Sequence, residues 1–220
     1  MFSLKSLTIS KSLNNLYFLS SLIMKKDFLE EKDEILVQRS KNGDKEAFDI
    51  LVQRYRASLF RFVYHSLHNK EDAEDIAQEA FVRAYLSLSQ LKDNSLFRTW
   101  LFKIALNLIR DSKRVEKRNP TVSLDSYIEG DDTHKESEGD NVEALEDDSE
   151  LLVRLRKEVA SLPNELREVI ILRDLQGFTY EEIAKMVGCP LGTVKSRLFY
   201  ARKILRERLS PFSGDEKDEL

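Results

Sequence analysis

From Asp33 onward, apolar residues return every three or four positions, and residues that stop helices separate one run from the next. "NGD", 42–44, closes a short helix begun near Asp33 and opens a second: Gly43 suits a left-handed turn and Asp44 an N-cap. In the second helix Phe48, Leu51, Val52, Tyr55, Leu59, Phe62 and Val63 recur at i, i+3, i+4, i+7 spacing. A third is expected from about Lys70 to Leu88, where Ala73, Ile76, Ala77, Ala80, Phe81, Ala84, Tyr85 and Leu88 form one stripe. After the loop "LKDNS" a fourth runs from about Ser95 to Val115. Together they predict a small helical domain over 34–115.

The period then vanishes. Residues 116–150 are acidic and aperiodic, the composition of a flexible linker extended by self-repulsion. Helices resume near Ser149. Pro163 fits a helix N1 position, Gly177 a C′ position, Thr179 with Glu182 a capping box, and Gly188 a helix end. The second domain is expected over 151–209, followed by an acidic tail at 210–220. Residues 1–23 are rich in Ser and Leu without a sustained stripe. Lys11, the short apolar run and the lack of an A-x-A-like site oppose a signal peptide. Met24 opens "MKKDFLEEKDEILVQ", which reads as a natural N-terminus, so 1–23 is expected to be disordered or to follow from a start codon placed too early, and 1–33 as a whole to be a disordered N-terminal extension. No strand or internal repeat is signalled. The expected fold class is all-α: two small helical domains joined by a flexible acidic linker.

Composition narrows the class. A chain of 220 residues, 41% hydrophobic, can bury a core, and its seven Gly and four Pro favour helices. The single cysteine, Cys189, excludes an intrachain disulfide and a multi-cysteine zinc site, which suits a reducing compartment. No run reaches the roughly 18 apolar residues of a membrane span. The expectation is a cytoplasmic protein without membrane insertion. The formal charge of −4 conceals a division. Residues 34–115 carry 14 basic and 11 acidic side chains, 116–150 carry 3 and 13, and 151–208 carry 12 and 7, for nets of +3, −10 and +5. Two mildly basic segments flank an acidic one, so the whole-chain charge says little about partners.

The C-terminal basic segment has a side. "TYEEIAKMVGCPLGTVKSRLFYARKILRERL" reads as helix, tight turn of about four residues, helix. Ile183, Ala184 and Val187 face inward from the first helix; Leu191, Val194, Leu198, Ala201 and Leu205 do so from the second. Thr193, Lys195, Ser196, Arg197, Phe199, Arg202, Lys203 and Arg206 face outward. They supply donors for phosphates and base edges, and an aromatic able to pack on a thymine methyl. A solvated basic face would explain a lone helix. The capping box, the glycine turn and the sidedness together favour a helix that enters a DNA major groove.

Here a resemblance appears. "LPNELREVIILRDLQGFTYEEIAKMVGCPLGTVKSRLFYARKILRERL" resembles region 4 of the extracytoplasmic-function (ECF) subfamily of sigma-70 family sigma factors, "GTVKSRL" most recognisably. The resemblance implies −35 DNA binding by Thr193, Lys195, Ser196, Arg197, Phe199 and Arg202.

In the N-terminal domain, "DAEDIAQEAFVRAYLSLSQL" sets Asp72, Glu74, Asp75, Gln78, Glu79 and Arg83 opposite its apolar stripe. A solvated face, a divalent-metal site and a protein-docking surface all fit such residues, although one helix face lacks the convergence a metal needs. "DAEDIAQEAF" is similar to region 2.2 of the same family, and this similarity selects docking. It implies that Asp72, Asp75, Gln78, Glu79 and Arg83 bind bacterial RNA polymerase core at the clamp helices of the largest subunit. In "LKDNSLFRTWLFKIALNLIRDSKR", Trp100, Leu101, Ile104, Ala105, Leu108 and Ile109 pack inward, while Thr99, Lys103, Asn107, Arg110 and Arg114 form a polar, basic stripe suited to DNA. The loop Lys92–Leu96, with Asn94 and Ser95, is placed with Phe97 and Trp100 to catch an unstacked base. Both aromatics also fit a core role. The stretch is similar to regions 2.3 and 2.4, which implies −10 binding and melting by Lys92, Asn94, Ser95, Phe97, Trp100, Lys103, Asn107, Arg110 and Arg114.

His65 and His68 form an H-x-x-H pair with no third ligand nearby, which favours ordinary helix residues over a metal site. Cys189 fits a reactive thiol or, more commonly, a turn cysteine. No metal or other cofactor is expected, and no nucleophile–base pair or glycine-rich phosphate loop suggests an enzyme. The resemblance covers about 34–115 and 151–208. It implies promoter DNA, polymerase core and an anti-sigma factor as partners. A stand-alone helix-turn-helix regulator, binding its operator without polymerase, is the competing class.

Overall fold

The computed structural model describes residues 31–118 and 150–210, and every regular element among them is helical. Most of the expected extension, linker and tail fall on 1–30, 119–149 and 211–220, outside the described residues; Asp33, the last residue of the expected extension, already opens a helix. The helices are α1 Asp33–Lys41, α2 Lys45–Leu67, α3 Lys70–Leu86, α4 Phe97–Arg118, α5 Glu150–Ala160, α6 Asn164–Ile170, α7 Tyr180–Val187 and α8 Leu191–Leu209. Short 3-10 turns lie at Leu88–Gln90 and Asn94–Leu96. Two compact units emerge: the described residues up to 55 with 85–98, and 56–84 with 99–118 and 150–210.

In the first unit, Gly43 takes φ +94 between α1 and α2, and Asp44 Oδ1 accepts the Ala47 N–H at 3.2 Å as the N-cap. Asp44 also accepts from Arg39 at 2.7 Å, and this bond holds its carboxyl below the usual carboxylate range. Leu36, Val37, Leu51 and Phe97 are fully buried, and the Phe48 ring stands edge-on to Tyr85 at 4.9 Å. Tyr85, placed in the apolar stripe by its spacing, is 42% exposed and meets the core only in part, through Phe48. Asp33 accepts from both Arg54 and the Tyr55 hydroxyl, so the start of α1 is tied to α2.

The second unit is built on alanines and phenylalanines. Ala73, Ala77, Ala80 and Ala84 line the buried side of α3, where small side chains let a neighbouring backbone come close. Phe62 meets Phe102 at 5.4 Å, and Phe102 meets Phe178 at 5.0 Å. Each buried ring contributes about 1.5–3 kcal/mol by leaving water. α2 ends on His68, which takes φ 61 and donates its N–H to Tyr64 O at 2.7 Å.

Beyond residue 150 the helices pack about α8, whose Val194, Leu198 and Ala201 are buried. α6 runs directly into a π-helical turn, Ile171–Leu175, which the apolar period did not announce. Gly177 (φ +74) and Gly188 (φ +75) then supply left-handed stops. Pro163 sits at the N-cap of α6, one position before the expected N1, with its carbonyl accepting from Leu166 and Arg167 at 2.9 Å. α4 continues three residues past the expected domain end at 115. α3 stops at Leu86, so Leu88 is buried from a 3-10 turn instead.

Candidate nucleic-acid interface

The capping box predicted at α7 is complete. Thr179 Oγ1 accepts the Glu182 N–H at 3.2 Å, while Glu182 Oε2 accepts from the Thr179 N–H at 2.8 Å. Three residues, Gly188 to Pro190, then turn the chain into α8. Ile183, Val187 and Met186 are buried from α7; Met186 was not foreseen, and Ala184 is only partly covered. With one side of α8 buried, Lys195, Ser196, Phe199, Arg202, Lys203 and Arg206 are exposed, and Thr193 and Arg197 are half-buried. Lys195, Phe199, Arg202, Lys203 and Arg206 line a shallow open concavity of about 600 Å³ with Tyr180. Three of the cations already have partners, Lys203 only loosely, 3.9 Å from Glu207. Arg197 Nη2 donates to Glu165 at 2.6 Å, and Arg202 donates to Asp174 through Nη2 at 2.6 Å and Nε at 3.2 Å. The bond to Asp174 raises the Arg202 pKa further above its usual range. Arg197 Nη1 also lies 3.9 Å from Cys189 Sγ.

On α3, Asp72, Glu74, Asp75, Gln78, Glu79 and Arg83 are all exposed. Arg83 Nε donates to Glu79 Oε1 at 2.7 Å, an i, i+4 pair. Val82, 47% exposed, lies beside Glu79 on that helix, an apolar member of the face that charge patterning did not reveal.

The nine residues expected at −10 DNA divide between the two units. Lys92 and Ser95 are exposed in the first. Asn94 is held there: its Oδ1 accepts from Lys41 Nζ at 2.6 Å, and its Nδ2 donates to Gln38 Oε1 at 3.1 Å. Ser95 is fixed by Asp93, whose Oδ1 accepts from its N–H at 3.0 Å and its hydroxyl at 2.6 Å. Phe97 is fully buried, with its ring 5.8 Å from Tyr55 and 6.5 Å from Phe48. Of the two roles open to it, the structure gives it the core and removes it from the DNA-facing set. In the second unit Lys103 and Asn107 are exposed, Trp100 is half-buried, and Arg114 is exposed and paired with Asp111 at 3.2 Å. Arg110 donates to Glu168 through Nη2 at 2.7 Å and Nε at 3.2 Å, a forked pair that raises its pKa above the usual range. Thr99, expected on the polar stripe, is 9% exposed and donates to Glu182 Oε1 at 3.0 Å. Phe102 and Leu106 account for the difference. Both are fully buried, so α4 has a second apolar stripe beside the first.

Two family descriptions match this arrangement: Sigma-70 region 2 over 51–119, and Sigma-70, region 4 over 152–205. The chain belongs to the sigma-70 family. The "RNA polymerase sigma-H factor" of Pseudomonas aeruginosa is 36% identical over 83% of this chain and 96% of its own length. The "ECF RNA polymerase sigma-E factor" of Escherichia coli K12 is 37% identical over 81% and 95%. Among solved structures, CnrH in complex with the cytosolic domain of CnrY has a TM-score of 0.61 at 25% identity, covering 83% of this chain and all of that one. The sigma factor RpoE in complex with the anti-sigma factor NepR, from Bartonella quintana, has a TM-score of 0.58 at 29% identity, covering 74% and 96%. These similarities set the chain in the extracytoplasmic-function group.

In this sigma factor, the residues missed by sequence reasoning are mostly acids that hold cations: Glu165, Glu168 and Asp174. Glu165 stands in the first turn of a short helix, where the helix dipole already explains an acid. Among the described residues no cluster of His, Cys, Asp and Glu could hold a metal ion, and no helix is long and apolar enough to cross a membrane. His65 and His68 follow burial instead: it lowers the pKa of both, to about 4 for His68, with Arg156 adding to the effect at His65 and Arg167 at His68.

Proposed function

We propose that this chain is a promoter-specific initiation factor that binds bacterial RNA polymerase core and directs it to −35 and −10 elements. One observation carries the reading. Both sigma-70 regions are present in order, and the second presents a helix with one apolar side buried and Lys195, Ser196, Phe199 and Arg202 open to solvent. In this reading region 2 spans 34–115 and region 4 spans 151–209. The acidic linker lets them reach separate DNA elements on one polymerase.

α8 enters the −35 major groove. Lys195, Arg197 and Arg202 bind phosphates or base edges, Thr193 and Ser196 add hydroxyl contacts, and Phe199 packs on a thymine methyl. Arg197 and Arg202 exchange Glu165 and Asp174 for DNA. On α3, Asp72, Asp75, Gln78, Glu79 and Arg83 dock on the clamp helices of the largest polymerase subunit, with Val82 as an apolar contact. Lys92, Asn94, Ser95, Trp100, Lys103, Asn107, Arg110 and Arg114 contact and open −10 DNA. The protein performs no chemistry itself and acts in the cytoplasm with polymerase. An anti-sigma partner is supported by the RpoE–NepR neighbour.

Run-off transcription with purified core polymerase, with and without this protein, tests the reading. Initiation at new sites only in its presence is expected; an unchanged transcript pattern would overturn it. Operator binding as a dimer without polymerase would instead point to the stand-alone regulator.

A further inference from the structure

The loop between Leu91 and Phe97 is held by a helix outside the expected −10 set. Leu91 and Phe97 are buried at its two ends, and Lys92, Asp93, Ser95 and Leu96 between them are exposed. Lys41, half-buried in the last turn of α1, donates from Nζ to Leu91 O at 2.5 Å and to Asn94 Oδ1 at 2.6 Å. Asn94 Nδ2 donates to Gln38 Oε1 at 3.1 Å and to Glu34 O at 3.4 Å, and Gln38 Nε2 donates on to Asn42 Oδ1 at 3.4 Å. Three amides thus run in series from Lys41. A half-turn exchanges the two ends of an amide, but an ammonium has three donors and no acceptor. Lys41 therefore fixes the direction of the series, because only Oδ1 of Asn94 can face it.

The lock limits what Asn94 offers a base. A free asparagine presents adenine with a donor and an acceptor together. Asn94 has both Nδ2 hydrogens engaged on α1, which leaves the second lone pair of Oδ1 for DNA. Glu34 and Asp93 set two carboxylates in the same open concavity of about 470 Å³, with Lys92 and Ser95. Its lining is rich in acceptors. We propose that Lys41 is a positioning residue that determines −10 specificity. It locks Asn94 as an acceptor, so that at one position of the unstacked strand the loop favours a base with an exocyclic amino group over thymine. The inference rests on the loop being a −10 reader, and its test separates that reading from the role of Lys41.

The full-length chain, assembled with purified core polymerase, selects from duplex DNA whose −35 and −10 tracts are randomised. Complexes that survive heparin are sequenced, and each position is scored, strand by strand, for bases with an exocyclic amino group against thymine. The wild type is expected to show that preference at a −10 position. Lys41→Met removes the donors and should lower the ratio there about twofold to tenfold, the worth of one hydrogen bond, with −35 preferences unchanged. Lys41→Arg, again a donor without an acceptor, should keep the ratio. Lys41→Met with Asn94→Asp should restore it, because a carboxylate accepts in either orientation. A purely structural role would lower the urea midpoint and overall retention without moving the ratio, and that outcome overturns the proposal. So does a ratio equal in Lys41→Met and the wild type, a double variant that stays at the lowered ratio, or a wild type that selects a −10 tract without the preference. A wild type that selects no −10 tract at all would instead overturn the −10 reading of the loop, on which the role of Lys41 depends.

Discussion

On α8 the partners of the two arginines proposed to meet DNA come from nearby in the chain: Glu165 holds Arg197 across 32 residues and Asp174 holds Arg202 across 28. On α4 the partner of Arg110 is Glu168, 58 residues away and beyond 119–149. The helices also differ in how much of their girth is covered. α8 buries Val194, Leu198 and Ala201 and leaves the opposite side open, whereas α4 buries Leu101, Ala105, Leu108 and Ile109 and also Phe102 and Leu106. A pair as exposed as Arg202–Asp174 is worth about 0.2–1 kcal/mol, so a phosphate displaces the acid easily. The acid on Arg110 is largely covered and comes with a buried aromatic contact. In the proposed reading α8 offers DNA an open side, whereas Arg110 on α4 is already engaged by a largely covered acid.

The core gives the largest test of this contrast. Phe102→Ala is expected to lower stability in urea by about 3–5 kcal/mol, and Leu198→Ala by about 2–5 kcal/mol. Both side chains are buried, so both losses follow from transfer and cavity costs. A loss under about 1 kcal/mol for Phe102→Ala would mean that the second stripe of α4 is not packed, and the difference between the helices would collapse.

DNA binding comes next. Lys195→Ala and Arg197→Ala are each expected to weaken −35 duplex binding by about 1–3 kcal/mol if they make bidentate base contacts. Titration of labelled −35 duplex at one fixed salt concentration measures it. Equal affinity for both variants would remove α8 from the reading role. Glu165→Gln sharpens the comparison, because weakening the hold on Arg197 should tighten −35 binding.

Whatever a helix decides within its own length was legible in the chain. The stops at Gly43, Gly177 and Gly188, the cap at Asp44 and the box at Thr179 and Glu182 each involve residues a few positions apart, and each is in place. The inward side of α8 was legible for the same reason. Period alone could not show that α4 has two buried sides. It located the first stripe, but Phe102 and Thr99 are covered by Phe178 and Glu182, about 80 residues on. Phe97 was ambiguous because an aromatic at a loop–helix junction suits a base or a core equally, and only the positions of Tyr55 and Phe48 decide. The π-turn at Ile171–Leu175 left no mark because Ile170, Ile171 and Leu172 are apolar in either register.

A smaller effect is expected at the box itself. Thr179→Ala removes the hydroxyl that accepts the Glu182 N–H and should cost about 1 kcal/mol of stability, read as a lower urea midpoint. Glu182 also accepts from Thr99, so a box that mattered only to α7 would leave the α4 contact intact. An unchanged urea midpoint would show that the hydroxyl adds nothing to the start of α7.

The smallest effect concerns pH and the far end of the same contact. Lys113 of α4 donates to Ser66 O at 2.9 Å where α2 ends, and His65 and His68 flank that carbonyl in sequence. Burial and the neighbouring cations lower both histidines from 6.5, His68 to about 4. The unfolded chain therefore takes up these protons first. Their contribution is complete above about pH 6.5 and declines as the pH falls toward 4, so stability drops with acidification. His68 remains exposed, which lets water soften the penalty. Replacing His65 by Gln together with His68 by Asn, a residue that tolerates the left-handed φ of 61, should flatten the fall in urea midpoint between pH 7 and pH 5. An equal fall in the double variant would show that the acid sensitivity between pH 7 and pH 5 does not arise from the two histidines at the end of α2.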